Sequence, residues 1–276
     1  MTMTQNPPRE ISVPSSAATA PRRWATLRHA RVLAKRSLIK TFRTPEALID
    51  VTLQPVIFLA LFTYIFGGAI AGSGGQHKYL QFLLPGILGQ TIAMASVALG
   101  QNLNADIQKG VFDRFRSLPI ARSAPLVGAV LADLARYLIL VVVMMSTGLL
   151  MGFRATNGVV PTIAALALSM GFALCFGWIS VFVGTMVRTP GAVQGIMFLL
   201  VLPLSFGSNT FVSTSTMPGW LQAFVKVNPI SHLVGTVRGL MTGGAVEYHL
   251  FWTLGWMAGL LAVFFPLALR GYRRHA

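Results

Sequence analysis

Phe112, Phe115 and Leu118 recur at every third residue of the stretch 106–118, and Lys109, Asp113 and Arg116 share the neighbouring face of the same short helix. Helix-compatible residues run from about Asp106 to Ser117 and stop at Leu118-Pro119, because proline disfavours a helical conformation in the residue before it. Aromatic knobs inside a charged collar suit docking into a groove on a soluble partner. The same two phenylalanines could instead tuck against a membrane surface. The residues alone leave both readings open.

Groups capable of covalent or metal chemistry are not spaced for either. His29, His77, His232, His249 and His275 are scattered, with no ligand spacing. Gly67-Gly-Ala-Ile-Ala-Gly-Ser-Gly-Gly75 is glycine-rich, but no Lys-Ser/Thr follows it, so it reads as a turn rather than a phosphate cradle. Cys175, the single cysteine, sits in an apolar run and reads as a packing residue. His232 with Glu247 is the one thin pair that a membrane-embedded enzyme could use. Asp133 and Arg136, three apart, can pair locally on a helix. No catalytic constellation and no metal site is expected.

The elements that must position these residues follow from composition. The 276 residues are 54% hydrophobic and only 11% charged, against about 25% charged in an ordinary soluble domain. So few charges cannot cover the surface of a globule this size, which excludes a soluble enzyme and makes the bilayer the solvent. A helix crosses the hydrocarbon core with about 20 apolar residues. Six such runs are expected, near 51–71, 82–103, 137–153, 160–187, 192–211 and 250–269. The fourth is long enough to hold a break at Gly171 or Gly177. All seven acids lie outside these runs or close to their edges. Proton- or ion-coupled transporters keep ionisable groups inside the bundle. If this chain moves a solute uphill, the energy must come from outside it.

The net charge of +15 is then a topological label. With six spans and the N-terminus inside, 18 of the 22 basic residues fall on the cytoplasmic side, and Lys78, Arg154, Lys226 and Arg238 fall outside. Both termini are therefore expected in the cytoplasm, and the excess needs no nucleic-acid partner. The first 21 residues are rich in Pro, Ser, Thr and Ala and are expected to be a disordered tail with no cleavable signal. Residues 24–43 are basic and helix-forming, with Trp24, Leu27, Leu38 and Phe42 in one sector. They read as an interfacial helix on the inner leaflet, or more simply as a positive-inside anchor. The segment 212–246 is too apolar for a solvated loop and is broken at Asn228-Pro229. It is expected to form two short external re-entrant or interfacial helices, with Trp220, Phe224 and Val227 facing lipid or the bundle. Gly191-x-x-x-Gly195 and Gly255-x-x-x-Gly259 permit close helix contacts, within one bundle or at a dimer seam.

Three stretches carry a family resemblance: Tyr79-Leu-Gln-Phe-Leu-Leu-Pro-Gly-Ile87; Asp106-Ile-Gln-Lys-Gly-Val-Phe-Asp-Arg-Phe-Arg-Ser-Leu-Pro-Ile120 with Pro125-Leu-Val-Gly128; and Met217-Pro-Gly-Trp-Leu-Gln-Ala-Phe224 with Asn228-Pro-Ile230 and Arg238-Gly-Leu240. From about residue 24 to its end the chain resembles an ABC-2 type transporter permease of the daunorubicin-resistance group. The resemblance implies an all-α integral membrane domain over 22–276, of the type V exporter kind, that dimerises and works with separately encoded ATPase subunits. These ATPases would use ATP and Mg; the chain itself would hold no cofactor and carry no ATPase site. It further implies that 24–43 is the amphipathic connecting helix and 106–118 the coupling helix, with Lys109, Gly110, Phe112, Arg114, Phe115 and Arg116 in the coupling element. A cavity at the dimer interface would involve helices one, two and five, with Phe58, Phe62 and Phe198 as candidates for the substrate pathway. An uncharged wall favours hydrophobic or amphiphilic cargo. Drug-like compounds fit, and so do lipids or lipid-linked glycans. The place implied is a bacterial plasma (inner) membrane.

Overall fold

The computed structural model describes residues 45–68, 75–110 and 124–275, with side chains described for 52–68, 75–110, 130 and 132–271. The expected tail (1–21), the interfacial helix (24–43) and most of the coupling segment (111–118) lie outside the described residues. Every regular element among the described residues is helical. In hydrocarbon each backbone N–H and C=O must be satisfied within the chain, and a helix does this locally.

The helices are α1 (Pro45–Leu61), which continues into one π turn (Phe62–Phe66); α2 (Gly75–Ala95); α3 (Val97–Gln108); α4 (Ala124–Leu150); α5 (Val159–Met186); α6 (Pro190–Phe206); α7 (Gly219–Val227); α8 (Pro229–Thr242); and α9 (Glu247–His275). Helix occupies most of the described part of each of the six expected apolar runs. Four helical segments are long and apolar enough to cross a membrane: Gly75–Gln108, Ala132–Leu150, Val159–Met186 and Glu247–Gly271. The apolar helices Thr52–Phe66 and Pro190–Phe206 are shorter. The fifth run, expected to reach residue 211, stops at Phe206 because the chain turns at Gly207 through Ser208, whose hydroxyl donates to the Ser205 carbonyl. The fourth run has no break: α5 is continuous through Gly171 and Gly177.

Local chemistry sets several helix starts. Thr189 caps α6 by accepting the Ala192 N–H, and Asn228 caps α8 by accepting the Ile230 N–H, each with proline at the first helical position. Asn228-Pro229 thus separates α7 from α8, as the sequence indicates. Trp220 and Val227 of α7 are exposed, and Phe224 is at the edge of exposure.

The core gathers around α2. Leu80, Leu83, Leu84, Ile87, Leu88 and Ile92 are buried against Tyr137 and Met144 of α4, Phe172 and Phe176 of α5, Val201 of α6 and Val234 of α8. Helices α2 and α3 keep different company. α2 packs chiefly on α8, whereas α3 packs chiefly on α5 and α6. The α3–α5 contact is a backbone-to-backbone approach: a Cβ on Gly100 would lie 2.0 Å from the Ser180 carbonyl oxygen, and one on Gly184 2.6 Å from the Gly100 carbonyl oxygen. Close approach of this kind replaces the hydrophobic drive that lipid removes. The expected small-residue motifs are not used in this way. A Cβ on Gly191, Gly195, Gly255 or Gly259 would meet nothing within 4 Å.

Candidate functional site

A cleft of about 590 Å³ opens between α1, α2, α3 and α6, within the size range of small-molecule sites. Its aromatic wall is a connected stack. Phe58 lies 5.8 Å from Phe62, Phe62 lies 4.7 Å from Phe211, and Phe211 lies 5.5 Å from Phe206. The π turn at Phe62–Phe66 adds Phe66 to this column at 5.2 Å from Phe62. Of the three aromatic residues singled out from sequence, Phe58 and Phe198 line the cleft. Phe62 does not line it, but stacks on Phe58 and Phe211, which do.

The polar part of the wall is what sequence reading missed. Gln54 of α1, Gln90 of α2, Gln101 of α3 and Gln194 of α6 all line the cleft. They are the only four glutamines inside the six apolar runs. None of their side chains hydrogen-bonds another described residue. Elsewhere, Gln81 donates to the Gly152 carbonyl, Gln108 to Asn104 and the Arg188 carbonyl, and Gln222 to the Met217 carbonyl. Among the described residues, no lining side chain is ionisable. The signal was present as polar residues in apolar runs, but a search for charge passes over carboxamides.

The cleft wall crosses an irregularity in the second span. α2 ends at Ala95, Ser96 forms a turn, and α3 restarts at Val97. Side chains bond backbone groups on both sides of it. The Ser96 hydroxyl donates to the Ala93 carbonyl (2.6 Å), and an Arg136 guanidinium N–H to the Ala95 carbonyl (3.0 Å). The Ser180 hydroxyl donates to the Val97 carbonyl (2.6 Å) and accepts the Gly100 N–H (3.2 Å). Such bonding suits a helix irregularity in a dry environment. Arg136 also pairs with Asp133 at 2.6 Å, as its i,i+3 spacing indicates. The pair lies at the edge of the apolar segment Ala132–Leu150, as expected, but inside the longer helix α4, which begins at Ala124, and Asp133 is buried.

α3 leads from the cleft to the expected coupling segment. A helix starting at Asp106 was expected. Instead, Asp106–Gln108 form the last turn of α3, because helix-favouring residues continue without interruption from the second span. The Lys109 N–H bonds the Ala105 carbonyl, the Gly110 N–H bonds the Ile107 carbonyl, and Gly110 takes φ +60°, a left-handed helix stop that favours glycine. Of the six expected coupling residues, Lys109 and Gly110 therefore terminate α3. Phe112, Arg114, Phe115 and Arg116 lie outside the described residues. Asn104 donates to the Gly184 and Val187 carbonyls, and Gln108 to that of Arg188, so the end of α3 is tied to the α5–α6 connection.

Near the α7–α8 junction Arg238, Asn228 and His232 have partners, although Ser231 Oγ and Asn209 Oδ1 are buried there with none among the described residues. Arg238 of α8 donates from Nε to the Phe82 carbonyl and from Nη2 to the Asn209 carbonyl, with its guanidinium 3.7 Å from the Phe82 ring centroid. Burial pushes its pKa down to about 9. His232 is not paired with Glu247. Its Nε2 lies 2.9 Å from the Lys226 carbonyl and so donates, its Nδ1 lies 3.4 Å from His249 Nδ1, and Trp252 stacks on its ring. Burial holds its pKa below the usual histidine value. With its nitrogens and ring taken up in this way, His232 is a packing residue rather than an acid–base candidate.

Comparison with known proteins gives one consistent picture. The family described as ABC-2 type transporter matches residues 28–242. The daunorubicin resistance ABC transporter permease protein DrrB1 of Streptomyces coeruleorubidus is 43% identical over 242 residues, covering 86% of this chain and 83% of that protein. A probable doxorubicin resistance permease, DrrC, of Mycobacterium tuberculosis is 26% identical over 256 residues, covering 89% and 91%. A putative transport permease, ycf38, of Cyanophora paradoxa is 30% identical over 215 residues, covering 76% and 72%. The apolar helices, the uncharged cleft and these similarities agree: the chain is a multi-pass membrane protein that belongs to the ABC-2 type transporter family, whose permeases work with an ATPase partner.

Proposed function

We propose that this chain is the permease subunit of an ATP-driven exporter, carrying hydrophobic or amphiphilic drug-like compounds out of a bacterial cell through the cleft between α1, α2, α3 and α6. The observation that carries this reading is the wall of that cleft: stacked phenylalanines and four carboxamides, with no ionisable side chain. Such a wall takes flat apolar cargo and offers nothing to an ion-coupled mechanism. The names of the relatives, which concern daunorubicin and doxorubicin, support the same class of cargo.

On this reading six helices cross the plasma membrane with both termini in the cytoplasm, and α7 and α8 form the external re-entrant pair. The stretch 24–43 lies on the inner leaflet. An ATPase subunit uses ATP and Mg and docks on the segment around Lys109, Gly110, Phe112, Arg114, Phe115 and Arg116; the chain itself has no ATPase site and holds no cofactor. A second copy of the chain completes the cleft along α1 and α6, where Ile57, Tyr64, Ile65 and Leu199 are exposed and Gly191 and Gly195 are unoccupied by neighbours.

The test is ATP-dependent accumulation of daunorubicin in inverted membrane vesicles holding the chain and its ATPase. Accumulation is expected with the native chain and lost when Phe112, Phe115 and Arg116 are all replaced by Ala, while the chain stays in the membrane. Unchanged transport in the triple variant would remove the docking claim. ATP-dependent movement of a labelled lipid in place of daunorubicin would reassign the cargo.

A further inference from the structure

We propose that Gln101 is the residue through which an occupied cleft is reported to the ATPase side, whereas Gln54, Gln90 and Gln194 set how tightly cargo is held. This rests on the reading of the cleft as the cargo site and adds a division of labour within it.

Three observations lead there. The first is that four carboxamides from four helices face one cleft, and none has a hydrogen-bond partner among the described residues. Gln90 and Gln101 are partly buried and Gln54 and Gln194 exposed, so all four carboxamides are free to bond a ligand that enters the cleft. Each carboxamide offers a donor and an acceptor, so the matching groups on the cargo are uncharged carbonyls and hydroxyls on the rim of a flat ring system that stacks on phenylalanine.

The second observation is where the four lie along the chain. Gln90 precedes the turn at Ser96 and Gln101 follows it. Only Gln101 is on the helix that ends at Lys109–Gly110. A cargo molecule bonded to both glutamines bridges the two halves of the interrupted span and favours the bend that places them correctly.

The third observation is that the turn is bonded by side chains as well as by the helix: Ser96, Arg136 and Ser180 donate to the Ala93, Ala95 and Val97 carbonyls, so two of the groups that hold its geometry belong to α4 and α5. Below the turn, α3 is locked to the α5–α6 connection by Asn104 and Gln108. A displacement started at Gln101 is therefore carried to Lys109 by α3 together with the α5–α6 connection it is bonded to. By linkage, whatever bend the cargo prefers must in turn alter the affinity for cargo.

The test uses the assembled permease–ATPase complex in lipid nanodiscs, with daunorubicin as the probe. Binding is read from its fluorescence, and coupling from the maximal stimulation of ATP hydrolysis at saturating daunorubicin. Gln54→Leu, Gln90→Leu and Gln194→Leu are each expected to weaken binding on the order of tenfold while retaining the native maximal stimulation. Gln101→Leu is expected to abolish most of the maximal stimulation with a smaller change in binding, and Gln101→Asn, which keeps a carboxamide, to restore part of it. If Gln101→Leu fails to assemble, Gln101→Met, of similar length, is read in the same way. Should the Gln101 variants only weaken binding, like the other three, the reporting role is overturned and the cargo site stands. Should none of the four leucine variants alter binding, or the native complex not bind daunorubicin, the cleft reading falls and this inference with it.

Discussion

Around the α7–α8 junction, Arg238 has carbonyls on Nε and Nη2 and a ring against its face, and Asn228 donates to the Leu204 and Gly207 carbonyls while accepting the Ile230 N–H. In the cleft, Gln54, Gln90, Gln101 and Gln194 have no such partners among the described residues. Both regions are polar insertions in an apolar chain, but their chemistry is opposite. Saturated groups hold helices together, since a buried donor or acceptor that loses its partner costs about 1–3 kcal/mol. Unsaturated groups add nothing to cohesion and leave bonds for something else to make. The Asp133–Arg136 pair belongs with the first kind.

This contrast is open to direct attack. Arg136→Met should be the most damaging change, because it strands the buried Asp133 carboxylate and the Ala95 carbonyl; a loss of about 3–5 kcal/mol is expected, visible as a large fall in Tm of the purified protein. The double change Asp133→Leu with Arg136→Met should recover most of that loss, and failure to do so would mean that the pair does more than satisfy itself. Arg238→Met comes next, with about 2–3 kcal/mol lost through two unpaired carbonyls. Gln90→Leu or Gln54→Leu should alter stability by no more than about 0.5 kcal/mol. A fall as large as that of Arg238→Met would abolish the distinction between the two regions.

The smallest effect is expected at His232. Its pKa is held below the usual value by burial, so the folded chain binds its proton less readily than the unfolded chain does. Stability from this residue is present above the unfolded histidine pKa of about 6.5 and is lost as pH falls below it. A melting series from pH 7.5 to 5 should decline modestly, and less so in His232→Phe.

The helices were legible because the bilayer imposes a length and a hydropathy that composition cannot disguise, and Asn228-Pro229 was legible because cap and proline chemistry is local. The turn at Ser96 was not. No glycine or proline marks it, and it depends on Arg136 and Ser180 arriving from other helices. The expected helix start at Asp106 differs for a related reason: Asp106–Gln108 favour helix in either assignment, and the informative residue was Gly110 with its positive φ. The glycines that make the closest contact within the chain were not found from spacing. Gly100 and Gly184 meet across two helices rather than repeating along one, so no spacing rule finds them, while the i,i+4 glycine pairs stand open. Within the cleft, Phe58 and Phe198 were accessible from sequence, and the glutamines required asking about neutral polarity as well as charge.

The absence of ionisable side chains from the cleft wall has an electrical consequence. Moving one elementary charge through 100 mV of membrane potential is worth about 2.3 kcal/mol. A wall that rearranges without displacing charge does no work for or against that field. At this wall the membrane voltage can then act only on the charge of the cargo. Collapsing the potential should leave export of a neutral compound unchanged and alter export of a cationic one, which gives the cell a pump whose drive does not fade when the membrane depolarises.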